Sequence, residues 1–271
     1  SQQHDPDTNN TDTAEHLGTH FPKYDTTVLS RPYHATTTTT SATQSSTKDA
    51  NNEEQDYVIG PWVITINDFL TPAECDRLIV LGYEERYQRS TEVTTSPDGT
   101  SKHDQTSRAR TSTNAWCETS CYEDPVAQRV IEKMSNLTGL PEANSEYLQL
   151  LKYEPGQFYK SHHDYIESNK LLPAGPRVIT MYLYLNDVKG GGGTRFNDLG
   201  GDGKEQIGDI PPLDVEPKQG MALIWPSVLD EDPIEKDGRT VHEALLVTKG
   251  FKYGANAWFH LRDNKNTDDC S

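Results

Sequence analysis

A succession of short β-type segments in the second half of the chain limits the fold more than any other feature. Tyr147 to Tyr153, Arg177 to Leu185, Thr194 to Phe196, Met221 to Trp225, Thr240 to Val247 and Phe251 to Leu261 are rich in β-branched, aromatic and aliphatic residues, and turn residues separate them. No helical pattern intervenes, which argues against a parallel sheet of βαβ units and predicts an antiparallel sandwich or barrel. Two helices are expected ahead of these strands. Thr71-Pro72-Ala73-Glu74 supplies an N-cap, a proline at the first helical position and a capping-box Glu, predicting a helix over about 72–81 with Cys75, Leu78 and Ile79 on one face. Asp124-Pro125 starts a second, which carries Val130, Ile131, Met134 and Leu137 at helical spacing and stops at Gly139 and Pro141. With these helices backing one sheet, the fold class is mainly β with flanking helices (α+β).

The ends of the chain read differently. Residues 1 to 56 are rich in Thr, Ser, Asn and Asp and include the run Thr36 to Thr40, so they are expected to form a disordered extension that buries too little apolar surface to offset ordering entropy. Within it, Phe21, Tyr24, Val28, Leu29 and Tyr33 form the one cluster suited to docking on the folded part. Order is expected from Tyr57, the folded domain covers 57–263, and 264–271 is a polar tail. Residues 86–116 are polar and contain the turn Pro97-Asp98-Gly99. A polar stretch of that length inside a compact domain reads as a lid.

Charge and cysteine content narrow the function classes. A formal net charge of -17 argues against nucleic-acid and anionic-membrane surfaces, which need clustered Lys and Arg. No apolar run approaches the roughly 18 to 20 residues that span a bilayer. No signal segment is visible either, and a start at Ser1 is compatible with a leader already removed. Cys75, Cys117, Cys121 and Cys270 have no zinc-ribbon spacing and are too scattered for a disulfide framework; pairing of Cys117 with Cys121 or with Cys75 is left open. Sequons at Asn9 and Asn136 are usable only in a secretory compartment, so the ER/Golgi lumen and the cytoplasm both stay open. Gly190 to Gly193 lacks the Lys-Ser/Thr of a phosphate loop and reads as a flexible hairpin loop.

The chemistry lies in the strands. His162 and Asp164 share one face of an extended segment because side chains alternate with period two, and the same parity turns the neighbouring His163 away. A second histidine, His242, sits on a strand-like segment. Two neutral imidazoles and one carboxylate leave three adjacent positions open on an octahedral metal, the arrangement of non-haem Fe(II) oxygenases. A hairpin turning at Thr248-Lys249-Gly250 would set Lys252 opposite Leu246, on the face of His242. A buried Lys there needs an anionic partner, which a metal-chelating dicarboxylate provides.

These residues carry a family resemblance. From about 62 to 261 the chain resembles the prolyl 4-hydroxylases, Fe(II)- and 2-oxoglutarate-dependent dioxygenases with a double-stranded β-helix (jelly-roll) core. The motifs are Leu70 to Ile79, Arg89-Ser90-Thr91, Arg110-Thr111-Ser112, Leu148 to Tyr153 with Gly156-Gln157 and His162-x-Asp164, Arg177 to Met181, the Gly-rich loop ending at Thr194, and His242 with Lys252, Trp258 and His260. The resemblance implies that His162, Asp164 and His242 bind iron, that Lys252 pairs with the distal carboxylate of 2-oxoglutarate, and that Tyr153 and Thr194 hydrogen-bond it. It further implies a peptide groove lined by Arg110, Ser112, Glu146, Tyr159, Arg177, Trp258 and His260. The cofactors implied are Fe(II), 2-oxoglutarate and O2, with ascorbate as a reductant, and the partner implied is a proline-containing peptide or protein. Gly193 and Asn114 depart from the family's usual acidic residue and Gly, which bears on substrate choice. A second reading, an oxygenase acting on a free amino acid or other small molecule, keeps the metal and Lys252 but has no use for the groove. A non-catalytic jelly-roll module would lose ligands that are present, and Asp164 fills the site a halogenase needs for halide.

Overall fold

The computed structural model describes residues 24–37, 55–95, 101–200 and 211–266. Its centre is an eight-stranded sheet, antiparallel throughout, whose strands run in the spatial order Asp25–Ser30, Val63–Asn67, Ala222–Pro226, Arg177–Tyr184, Lys252–His260, Gln149–Tyr153, Thr113–Trp116 and Gln88–Arg89. A four-stranded sheet, ordered Tyr159–His162, His242–Ala244, Thr194–Phe196 and Leu213–Val215, makes up the second layer. This is the expected mainly β architecture with a jelly-roll core.

Strand alternation gives the large sheet two apolar faces. One face, with Leu148, Leu150, Met181, Leu183, Ala255, Ala257 and Phe259, packs under the helices. The other, with Leu151, Tyr153, Tyr182, Tyr184, Leu223 and Trp225, meets Phe196 and Val215 from the second layer and Val247 from outside it. The functional residues stand on this inner face.

Both helices start as their caps predict. Thr71 and Glu74 form a reciprocal capping box, and Asp124 accepts from the Val126 N–H. The second helix, Pro125–Thr138, ends at Gly139 in the left-handed region (φ 70°). The first runs to Glu84 rather than 81, straight through Gly82. A side chain at 82 would meet the Tyr87 hydroxyl at 2.2 Å, so the glycine makes room for a ring and does not stop the helix.

Three expectations need correction. Disorder over 1–56 does not hold for Asp25–Ser30, which pairs with Val63–Asn67 at the sheet edge, nor for Tyr33–Thr37, which pairs with Gln55–Ile59. Of the docking cluster, Tyr24 lies 5.6 Å from the Phe69 ring and Leu29 packs on the inner core, while Phe21 lies outside the described residues. The segment average was polar, yet Thr26, Thr27 and Val28 are β-branched and the edge satisfies their backbone. The polar stretch 86–116 is also more sheet than lid. Its ends are strands of the large sheet, and Arg89 donates to the carbonyls of Ser107, Arg110 and Ser112.

The third correction concerns Lys252. Val247–Lys249 pairs with Gly190–Gly191 and not with the following strand, Leu246 is 47% exposed, and Lys252 is 1% exposed opposite Tyr153. The predicted hairpin therefore does not form; Lys252 reaches the inner face from the large sheet. The glycine run serves this pairing, since a side chain at Gly191 would meet the Leu246 carbonyl oxygen at 2.1 Å. Cys117 and Cys121 form a disulfide, and Cys75 is a free buried thiol that burial pushes up to about 11. Cys270 lies outside the described residues. Among those described, no helix is long and apolar enough to cross a membrane.

Candidate active site

His162 ends the strand Tyr159–His162 and faces His242 across the sheet register, while Asp164 lies two residues beyond the strand end. The three ligand atoms lie within 4.8 Å of one another. His162 donates from Nδ1 to the Lys160 carbonyl (2.8 Å) and His242 from Nδ1 to the Thr240 carbonyl (2.9 Å). Each ring is thus held as the tautomer whose Nε2 lone pair is free, and these Nε2 atoms stand 3.9 and 3.6 Å from the Asp164 carboxylate. Thr180 Oγ1 donates to Asp164 Oδ2 at 2.8 Å and fixes the carboxylate from behind.

Charge agrees with geometry. Burial, then the neighbouring His242, holds His162 down to about 3, so it is neutral near pH 7. Burial opposes the charge on Asp164, but His242, His162 and Arg177 outweigh it and hold the carboxyl down to about 2. Two neutral imidazoles and an anion form a donor set suited to a divalent cation such as Fe(II). His163 is not among the ligands; Tyr165 and Asp237 engage its ring nitrogens.

Beside the triad, a pocket is lined by Tyr153, Tyr159, His162, Asp164, Tyr182, Thr194, Trp225, His242, Lys252 and Asn256, among others. The Lys252 ammonium is buried without a hydrogen-bond partner, among the rings of Tyr182 (4.9 Å), Tyr153 (5.4 Å) and Tyr184 (5.5 Å). Burial pulls it down to about 7, against the pull of Glu216. An unpaired buried amine is costly, and a small diacid with one carboxylate at Lys252 fits this pocket. Thr194 Oγ1 stands 2.7 Å from the Tyr184 hydroxyl.

The residues expected in a groove divide into three groups. Arg177 clamps Glu146 through Nε (2.5 Å) and Nη2 (2.9 Å), lies 3.8 Å over the Trp258 ring and reaches the Asp164 carbonyl at 3.4 Å. The His260 ring nitrogens stand 2.9 Å from Glu146 Oε1 and 2.8 Å from the Gly175 carbonyl. Tyr159 stacks on His162 at 3.5 Å with the Arg110 guanidinium 5.0 Å above it, and Arg110 donates to Gln149 at 2.6 Å. Ser112 is different: fully buried, 3.3 Å from Ser90, it holds the chain rather than lining a surface. Sequence reasoning passed over Thr180, Gln149, Tyr182 and Tyr184, although the polar residues at 180, 182 and 184 alternate on an otherwise apolar strand. It also missed Trp116, half-exposed and 6.1 Å from Trp258.

The 2OG-Fe(II) oxygenase superfamily matches residues 148–260, which include every residue of the triad and Lys252. Prolyl 4-hydroxylase 1 of Arabidopsis thaliana is 35% identical over 206 residues, 74% of this chain and 70% of that protein. The chain belongs to the prolyl 4-hydroxylase family. Like the family, it is a 2-oxoglutarate-dependent dioxygenase that uses Fe(II) and O2. The family extends to animal proteins: prolyl 4-hydroxylase subunit alpha-1 of Rattus norvegicus is 32% identical over 171 residues, 61% of this chain and 29% of that one. The fold is shared with the viral collagen prolyl hydroxylase of Paramecium Bursaria Chlorella virus-1 in complex with 2OG. That match has a TM-score of 0.53 at 23% identity and covers 73% of this chain and 95% of that one.

Proposed function

We propose that this protein hydroxylates peptidyl proline to 4-hydroxyproline while converting 2-oxoglutarate to succinate and CO2. In this reading His162, Asp164 and His242 hold Fe(II), Lys252 pairs with the distal carboxylate of 2-oxoglutarate, and Thr194 and Tyr153 flank it. Fe(II) bound there supplies the activation of O2 that couples decarboxylation to hydroxylation of a C–H bond. The chain positions the reactants and excludes water. Arg177, Arg110 and Tyr159 carry the peptide side of the site, with Glu146, itself bonded by His260, holding Arg177 and Gln149 holding Arg110.

The observation that carries the proposal is this ledge beside the triad. Guanidinium and aromatic faces suit an extended peptide whose proline is already in polyproline II conformation and loses little entropy on binding. A small-molecule substrate would leave the ledge without a use. The Cys117–Cys121 disulfide supports an oxidising, secretory compartment over the cytoplasm.

Incubation with Fe(II), 2-oxoglutarate and a panel of poly-proline and Pro-Ser/Thr-rich peptides should add about 16 Da to proline by mass spectrometry, with succinate formed in step. Succinate formation that no peptide stimulates would instead favour a small-molecule oxygenase.

The buried amine adds a pH dependence. Above about pH 7 free Lys252 is neutral, whereas the bound dicarboxylate holds it charged, so binding takes up a proton. His162, held down to about 3, does not titrate in this range. The Kd for 2-oxoglutarate, measured by calorimetry with a redox-silent metal, should rise up to about tenfold per pH unit above 7. A Kd constant between pH 6.5 and 8.5 would remove Lys252 from this role.

A further inference from the structure

His163 lies between two residues assigned to the metal, yet it touches neither ligand set, and both of its ring nitrogens are occupied. The Tyr165 N–H donates to Nδ1 at 2.8 Å. Nδ1 is therefore the acceptor and Nε2 carries the proton, which points at the Asp237 carbonyl at 2.7 Å with Thr240 Oγ1 at 3.0 Å. Thr240 donates to the same carbonyl at 3.1 Å, and its own carbonyl accepts from His242 Nδ1 at 2.9 Å. The Asp237 carboxylate is 1% exposed and gripped by Arg239.

The chain path gives these bonds their significance. Asp164 is carried on the segment that leaves the strand at His162, and His242 on the segment that follows the Gly238–Thr240 turn, 78 residues later by their numbers. The imidazole of His163 bonds the first segment through Tyr165 and the second through Asp237 and Thr240. We propose that His163 is a positioning residue, a cross-brace that holds the Asp164 segment against the His242 segment and so sets the affinity of the site for its divalent metal. An imidazole suits the task because it offers an acceptor on one edge and a donor on the other across a rigid ring.

This inference rests on the metal site assigned to His162, Asp164 and His242. The test is Mn(II) binding to the full chain, followed by electron paramagnetic resonance, with kcat and the KM for peptide measured alongside. His163→Ala should weaken Mn(II) about 10- to 100-fold, the usual cost of losing an outer partner of a metal ligand, and leave the peptide KM unchanged. If the alanine variant fails to fold, two amide variants carry the test. His163→Gln can still donate to the Asp237 carbonyl and should bind Mn(II) close to wild type. His163→Asn is too short to reach it and should match the alanine loss. Wild-type Mn(II) affinity in His163→Asn, or equal losses in the two amides, would overturn the brace. Failure of the wild-type protein to bind Mn(II) would instead overturn the metal site itself.

Discussion

Asp164→Ala is expected to abolish measurable succinate formation and to weaken divalent metal binding by more than the roughly 10- to 100-fold that loss of an outer partner costs. Asp164 supplies the only anion among the three ligands, and two neutral imidazoles cannot offset the charge of a divalent ion at a buried site. The substitution also strands Thr180 Oγ1, which donates to the carboxylate at 2.8 Å in a fully buried position. Because the partners of Asp164 outweigh its burial, the substitution also lowers stability, so folding is checked separately from metal binding. The measurement is succinate release together with Mn(II) titration and near-UV circular dichroism. Turnover within tenfold of wild type would sink the ligand assignment.

Lys252→Met separates function from stability. Truncating one side of a buried, hydrogen-bonded charge pair costs about 2–5 kcal/mol, roughly a 30- to 4000-fold rise in the Kd for 2-oxoglutarate. Methionine keeps the length of the stem but removes an ammonium that has no protein partner in the ligand-free site. An unsatisfied buried group costs about 1–3 kcal/mol, so the ligand-free variant should melt at a higher temperature than wild type. The wild-type penalty is full below about pH 7, where Lys252 is charged in both folded and unfolded chains. It is relieved as pH rises through 7, where only the unfolded chain keeps the proton. Thermal melts at pH 6.5 should therefore show the larger gain from the substitution. A variant that binds 2-oxoglutarate normally would mean that the ammonium serves another anion.

Much of this was legible because local rules act over a few residues. The capping residues placed both helix starts, period-two alternation placed the strands after Gly139, and residue chemistry gathered His162, Asp164, His242 and Lys252 before any contact was known. The errors share one origin. Strand partners are chosen by the whole sheet, so parity within one segment cannot say which segment lies across it. Lys252 reaches the face of His242 without the hairpin that parity predicts, and the polar segments at 25–30 and 113–116 are strands because the sheet receives them.

The family, the metal-binding chemistry and a lysine in need of an anion follow from residue types in order along the chain. Which histidine nitrogens are free, the inward-facing Ser112 and the place of Arg177 between Glu146, Trp258 and Asp164 follow only from the packed layers. Packing also sets the place of His163, whose acceptor and donor meet partners two and seventy-four residues away, respectively. A hydrogen bond needs alignment within a few tenths of an ångström, and such alignment comes from packed layers, not from spacing along the chain.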